Sequence, residues 1–410
     1  MEYKREDGFV LGFWNYNDFK TGGASEVARW KDLGLNVAMT PMGYNEADVE
    51  TELPKLLDEL QKNDMKAILL FHDVTDSYFR RYGEEAYRKA FTARYEKYGK
   101  HPAVLGFYPG EEPGPEAVEA YLGAIRVMKE VAPELTPFLE PGDTRKVPGL
   151  GKMIADTGVS VHGVASYSQM EQDERGIEEY FGHMHTTLSV CKEYGLDCWA
   201  TMLSSSHYRF KAPDEAGFTW QINTAAALGC TGIFWFRIYD KLMAADYRES
   251  PIDEYGQPNG EHYRAMKRAQ TRFNIHHGKL LMKMHIKDAF FIKRRYGGFP
   301  LFPEAGYGSV RRAYCPDTFF GCYDIEGIPG IVSFFEGDDG CEYIAVVNNT
   351  FDEPGAIILE FNKDVKKVEY IYHNGDKTMP LLLEGSSHLD YLKEEIWLAP
   401  GQMEILRVTK

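Results

Sequence analysis

The chain is short of several things, and each shortage narrows what it can be. Six cysteines in 410 residues, at 191, 198, 230, 315, 322 and 341, form no CxxC pair. That excludes a zinc ribbon and a thioredoxin-like centre. Thiols this sparse in so long a chain read as free and point to a reducing compartment, although Cys315, Cys322 and Cys341 lie near enough in sequence for one bridge. No apolar run approaches the length of about 18 residues that a membrane-spanning helix needs. The first residues, MEYKREDGFVLGFWNY, lack the long apolar stretch of a secretory leader, so a cytoplasmic location is expected. Positive charge is short as well: 46 Lys and Arg stand against 62 Asp and Glu, a net charge of −16. Such a surface does not displace counterions from a nucleic acid, so a nucleic-acid partner is not expected. There is no HExxH and no GxGxxG, so neither a zincin-type metal site nor a dinucleotide cofactor is expected.

What remains is a chain 44% hydrophobic and 14% aromatic, enough to bury a sizeable core. Its first two-thirds alternate short apolar runs with amphipathic segments. The runs Gly8 to Trp14, Asn36 to Pro41, Lys66 to Phe71, Val104 to Tyr108, Thr136 to Leu139, Val159 to Tyr167, Cys198 to Leu203 and Thr231 to Phe236 read as strands. Helical periodicity follows each one; in Glu46 to Lys62, Val49, Leu53, Leu56, Leu57 and Leu60 fall three and four apart. Apolar strands without alternation suit a parallel sheet covered on both faces. A doubly wound open sheet would carry a glycine-rich phosphate turn after its first strand, but that turn reads NYNDFKTGGAS. Eight strand–helix units over residues 1–284 therefore predict an α/β fold, a (β/α)8 TIM barrel.

After residue 284 the texture changes. KDAFFIKRR, GIVSFF, EYIAVVNN, AIILEF, KVEYIY, EEIWLA and MEILRV are short, rich in β-branched and aromatic residues, and separated by Gly, Pro, Asn and Asp. Residues 285–410 are expected to form a smaller antiparallel β-sandwich, with Tyr296 to Asp317 as a long loop.

Barrel chemistry sits at the C-terminal ends of the strands. Those ends supply Trp14 and Asn15, then Tyr44, His72 and Asp73, Glu111 and Glu112, Glu140, Tyr167, His207, and finally Trp235, Arg237 and Asp240. Aromatic faces interleaved with carboxylates and amides suit a carbohydrate. Splitting a glycosidic bond takes two carboxyl groups. Glu112 is the candidate donor, with a second reading in which Glu111 and Glu112 merely open the next helix. Glu140 is the first choice of partner and Asp73 the second. Arg237, if it points inward, must be paired.

GFYPGEEP, residues 106–113, resembles the Asn-Glu-Pro motif after strand four of the glycoside hydrolases with a (β/α)8 barrel. The preceding YEKYGKHPAV, the strand TGIFWF, the segment DEYGQPNGEHYRAMKRA and the closing LAPGQMEILRV are also similar to that clan. The resemblance implies Glu112 as acid/base and Trp235 as the floor of a sugar subsite. It further implies a nucleophilic Glu at the end of strand seven, but CWATMLSSSHYRF contains no acid there. The next acid, Asp214, reads as a helix cap. Hydrolysis of a glycosidic bond in an oligo- or polysaccharide or glycoconjugate is the leading expectation, with no cofactor. Two alternatives stay open: a non-catalytic carbohydrate-binding protein on a glycosidase scaffold, and a lyase or isomerase of acidic sugars working through His72 and Arg237.

Overall fold

A computed structural model describes residues 2–43, 45–241, 246, 248–314, 328–381 and 391–410. The chain folds as two compact units, one of Met1–Gly176, His183–Pro213 and Thr231–Lys267, the other of Ile177–Gly182, Asp214–Cys230 and Arg268–Lys410.

The first unit is built on eight parallel strands: β1 Val10–Phe13, β2 Val37–Met39, β3 Lys66–Leu69, β4 Val104–Phe107, β5 Thr136–Pro137, β6 Val161–Ala165, β7 Asp197–Leu203 and β8 Gly232–Phe236. They pair in the orders β2-β3-β4-β5 and β1-β8-β7-β6. Asn36 joins the two sets on one side. Its side chain accepts from the Leu11 N–H at 2.8 Å, and its N–H donates to the Leu11 carbonyl at 2.9 Å. The result is the expected TIM barrel. Its interior is packed: Val10, Trp14, Met39, Ile68, Leu105, Phe138, Trp199 and Phe234 form one buried cluster, as barrel side chains do when they fill the ring in layers.

β5 is only two residues long, because Pro137 has no N–H to offer a ladder. Its neighbours compensate by coming close. A Cβ on Gly106 of β4 would stand 1.7 Å from the Thr136 carbonyl oxygen, and one on Gly163 of β6 would stand 1.8 Å from that of Leu139. Glycine is required at both places for steric reasons.

Among the helices of the element order, α1 is Val27–Asp32, α2 Glu46–Lys62, α3 Asp76–Arg94, α4 Val118–Val131, α5 Leu150–Ala155, α6 Glu174–Tyr194, α7 Glu215–Ala227 and α8 Gly260–His276. α3 begins earlier than the helix expected from about Glu84. It runs through Gly83, whose φ of 81° interrupts the helical backbone without ending the segment. Asp214 caps α7 as expected, accepting from the Gly217 N–H at 2.8 Å.

The second unit contains β9 Met284–Ile292, β10 Val310–Tyr314, β11 Gly330–Gly337, β12 Glu342–Asn348, β13 Gly355–Asn362, β14 Lys367–Tyr372, β15 Lys377–Pro380, β16 Tyr391–Leu398 and β17 Met403–Thr409. They form a six-stranded sheet, β15-β14-β17-β12-β11-β9, and a three-stranded sheet, β10-β13-β16. Alternate residues of the two sheets, Val332 and Phe334, Ile344 and Val346, Ile357, Leu359 and Phe361, share one core. This is the antiparallel β-sandwich. β10 lies inside the segment expected to be a long loop: Val310 to Tyr314 pair with β13 despite the glycines and prolines around them. Cys191, Cys198, Cys230 and Cys341 are free thiols, whereas Cys315 and Cys322 lie outside the described residues.

One sheet carboxylate gives a stability test. Glu369 on β14 is held between Lys367 Nζ at 2.7 Å and Arg407 at 2.9 Å. The hydrogen bonds from Lys367 and then Arg407 lower its carboxyl to about 2. An unfolded Glu titrates at about 4.3, so this stabilisation is complete above that pH and is lost as pH falls towards the folded value. Glu369→Gln is expected to flatten the acid limb of the melting-temperature curve between about pH 2 and 5. A variant curve as steep as that of the parent would mean the pair is screened out.

Candidate active site

The rim of the barrel at the strand C-termini collects a cluster of carboxyls. Glu111 and Glu140, on the loops after β4 and β5, form a parallel β-bridge, and the Glu112 N–H donates to the Glu140 carbonyl at 2.8 Å. Gly142 adjoins two of them. Its N–H bonds the Glu140 carboxyl, and a Cβ placed on it would stand 3.0 Å from Cγ of Glu112. Glu112 is exposed and has a φ of 42°. Left-handed backbone at a non-glycine residue costs energy and marks a segment held for a purpose. α4 does not start until Val118, so Glu111 and Glu112 do not cap it, and the reading that they merely open a helix falls.

Glu140 is the most confined of the three. It is 4% exposed, and its Oε1 is buried without a hydrogen-bond partner among the described residues. Burial first, then the charges of Glu112 and Glu111, push its carboxyl well above the usual range. Glu111 opens towards solvent within the mouth, whose walls crowd its hydration; burial raises its carboxyl, opposed by hydrogen bonds from Tyr16 and Tyr108. The Tyr16 hydroxyl donates to Glu111 Oε2 at 3.1 Å. Both phenols are held protonated, by burial first and then by the charge of Glu111.

Aromatic rings wall the cup. Tyr167 stacks on Phe236 with centroids 5.4 Å apart and planes at 20°. Phe236 also meets Tyr16, Trp14 and His207 edge-on. Trp14 forms the floor, 1% exposed, with an indole N–H that has no partner among the described residues. Arg237 is buried; its Nε–H donates to the Tyr239 carbonyl at 2.9 Å, and its guanidinium lies 5.7 Å from the Tyr16 ring centre. Its partners thus include a carbonyl and an aromatic face. His207 packs between Tyr167 and Tyr208, and its Nδ1 lies 3.9 Å from Asp246. Burial lowers its affinity for a proton, and Asp246 opposes that.

Other expected residues are turned elsewhere. Trp235 has no accessible surface. Phe234 and Phe236 on either side of it pack in the barrel interior, so alternation puts Trp235 on the outer face of β8. Phe236, the next residue, faces the cup instead. Asn15 likewise alternates with Trp14 and Tyr16. It is fully buried, and its Nδ2 donates to the Gly22 carbonyl at 2.9 Å, tying the loop after β1. Asp240 accepts from the Ser250 N–H at 2.8 Å and holds the loop after β8. His72 is exposed, with Nδ1 3.1 Å from the Gly43 carbonyl. Tyr44 lies outside the described residues. Asp73 is bound by Arg94 on α3, with Nη2 2.9 Å from Oδ2, and Arg94 also grips Glu46 through two bonds of 2.7 Å. Asp73→Asn leaves Arg94 its second carboxylate, so a loss of about 1 kcal/mol or less in chemical denaturation is expected, with turnover unchanged. A large fall in rate would return Asp73 to the mechanism.

Sequence reading missed Tyr108, Asp76 and Gly142 and left Tyr16 and Phe236 unassigned. Asp76, at the start of α3, is 8% exposed. It underlies Gly110, where a Cβ would stand 2.3 Å from Asp76 Oδ1, and its charge adds to the upward shift of Glu111. The two-residue period along each strand was the available signal: it selects Tyr16 over Asn15 and Phe236 over Trp235.

Among the described residues, no group of three or more His, Cys, Asp or Glu is arranged to hold a metal, and no helix is long and apolar enough to cross a membrane.

The chain is thus a parallel barrel followed by a β-sandwich. Solved structures resemble this chain at that level. A family 5 glycoside hydrolase from Bacteroides vulgatus aligns with a TM-score of 0.57 at 9% identity, covering 98% of this chain and 89% of its own. A family 39 glycoside hydrolase from Bacteroides cellulosilyticus gives 0.52 at 12%, covering 100% and 82%. An α-amylase from Geobacillus thermoleovorans gives 0.51 at 10%, covering all of both chains. At such identities the likeness is one of fold. No family model and no curated protein sequence matches the chain.

Proposed function

We propose that the protein hydrolyses a glycosidic bond, with Glu112 delivering the proton to the leaving oxygen and Glu140 as its partner carboxyl. The observation that carries this is the trio Glu111, Glu112 and Glu140 on two adjoining loops at the barrel rim, beside stacked aromatic rings. Interacting carboxyls hold protons between them at a pH where an isolated one has lost its own. Burial raises the Glu140 carboxyl. For the bond to break, the proton the pair holds has to stand on Glu112, which gives it to the leaving oxygen, while Glu140 acts as the carboxylate that takes a proton from the attacking water or attacks the sugar itself. Glu112, exposed over Gly142, is the member that can meet a substrate. Tyr16 and Tyr108 anchor Glu111, so that its charge is fixed beside the site. Tyr167 and Phe236 offer the face on which a sugar ring stacks.

The test is release of reducing ends from a panel of polysaccharides and aryl glycosides, with the anomer of the first product read by NMR. Release by the parent protein that disappears in Glu112→Gln supports the reading; no release from any member of the panel argues against it.

A second reading has an observation of its own. The end of β7 supplies Ser204, Ser205 and His207 and no acid, so the place where the clan carries its nucleophile is empty of carboxylate. A protein that binds a saccharide without cutting it would show calorimetric binding of an oligosaccharide that is recovered intact.

A further inference from the structure

The second unit contains a cavity of about 390 Å³ between α7, the end of α8, and the ends of β14 and β17. That volume falls within the range of small-molecule sites. Its walls carry groups that the barrel chemistry does not use. Glu404, 9% exposed, accepts from Gln402 Nε2 at 2.6 Å and interacts with the Tyr372 hydroxyl, and its buried Oε2 has no partner within normal hydrogen-bond length among the described residues. His277, 7% exposed, bonds the Met403 carbonyl through its ring, and its Nδ1 is buried and unpartnered among the described residues. Buried polar atoms nearly always have a partner, so two such orphans beside one cavity call for an occupant.

We propose that this cavity binds a small neutral polyhydroxylated molecule of about monosaccharide size. The chemistry of the walls selects that class. Burial raises the Glu404 carboxyl, opposed by hydrogen bonds from Gln402 and Tyr372, and lowers the His277 ring to about 3, so that ring stays uncharged. The two orphan atoms, a carboxyl oxygen and an uncharged ring nitrogen, can each accept a hydrogen bond from a ligand. A ligand hydroxyl supplies that donor without charge. Formal charge on the wall is cancelled: Arg272 lies 3.6 Å from Glu215. The rings of Phe273 and Tyr372 supply apolar faces. Neither a metal ion nor a strongly anionic group finds a complementary set here.

The site is independent of the hydrolytic reading, and the experiment keeps the two apart. Saturation-transfer difference NMR is recorded with glucose, galactose, mannose, xylose, fucose and glycerol on three proteins: the parent, Ala216→Phe and Tyr167→Ala. Ala216 is half-buried on the cavity wall, so a phenyl ring fills the space without orphaning another polar group. Tyr167→Ala alters only the barrel cup. The expected result is binding by at least one sugar that weakens about tenfold or more in Ala216→Phe and persists in Tyr167→Ala. Glu404→Leu, checked for an unchanged melting temperature, should weaken the same sugar. Binding untouched by Ala216→Phe, or no binding by any of the six compounds, overturns the proposal.

Discussion

Glu112→Gln is expected to lower kcat by a factor of about 10² to 10⁴, the range by which a positioned acid or base contributes. The melting temperature should barely move. The Glu112 side chain is exposed, its backbone bond to Glu140 does not involve the carboxyl, and Gln keeps its length. Glu140→Gln separates the two members of the pair. It should also lose turnover, but its stability should change with the opposite sign. A carboxyl whose folded value lies above its unfolded value stabilises the fold only while protonated in both states; stability declines as pH rises past the unfolded value of about 4.3. Glu140 is such a group. The neutral amide removes that decline, so Glu140→Gln should melt higher than the parent near neutral pH and show a flatter curve above pH 4.3. Initial rates and melts over a pH series read both effects. Full activity in Glu112→Gln would remove it from the chemistry; an unaltered pH curve in Glu140→Gln would mean that its pocket is wetter than its burial indicates.

The two-unit organisation was legible because hydrophobic period is a local property. Runs such as Val104 to Phe107 and Gly232 to Phe236 announce strands, and the change of texture near Met284 announces a sandwich. The loop after β4 was legible too: an acid pair set between glycine and proline directly after an apolar run. What escaped was direction. Reading the residues that follow a strand does not say which of them face the cup. Trp235 and Asn15 follow the right strands but sit one place out of phase with Phe236 and Tyr16. Asp73 read as the second choice after Glu140, and only the fold shows that the end of α3 brings Arg94 back to it. Tyr108 directly follows β4 and reads as strand core; its role depends on its hydrogen bond to Glu111. The burial of Glu140 is set by tertiary packing, and no local pattern carries it.

That packing begins with two glycines, and they supply the second large effect. Gly163→Ala should destabilise the barrel by about 1–3 kcal/mol or more, as overpacked interiors do, and should reduce turnover as well. Its Cβ would stand 1.8 Å from the Leu139 carbonyl oxygen. The clash is with backbone, so no side chain can rotate away, and β5 has to retreat. Glu140 is the next residue, and it is tied to Glu111 by the bridge and to Glu112 by the 2.8 Å bond. Displacing it disturbs the whole carboxyl cluster. Gly106→Ala meets the Thr136 carbonyl at 1.7 Å and presses on the same strand from the other side. Urea denaturation and initial rates of both variants decide the matter. If β5 is held by its neighbours as the geometry requires, each variant loses stability and rate together. If either keeps both, the strand carrying Glu140 is free to shift, and the position of that acid is set by its loop alone. The weakness that Pro137 introduces into β5 thus has a structural counterpart. A strand that cannot ladder well can be drawn in between two glycine-bearing neighbours, which brings the carboxyl at its end under the rim instead of out into solvent.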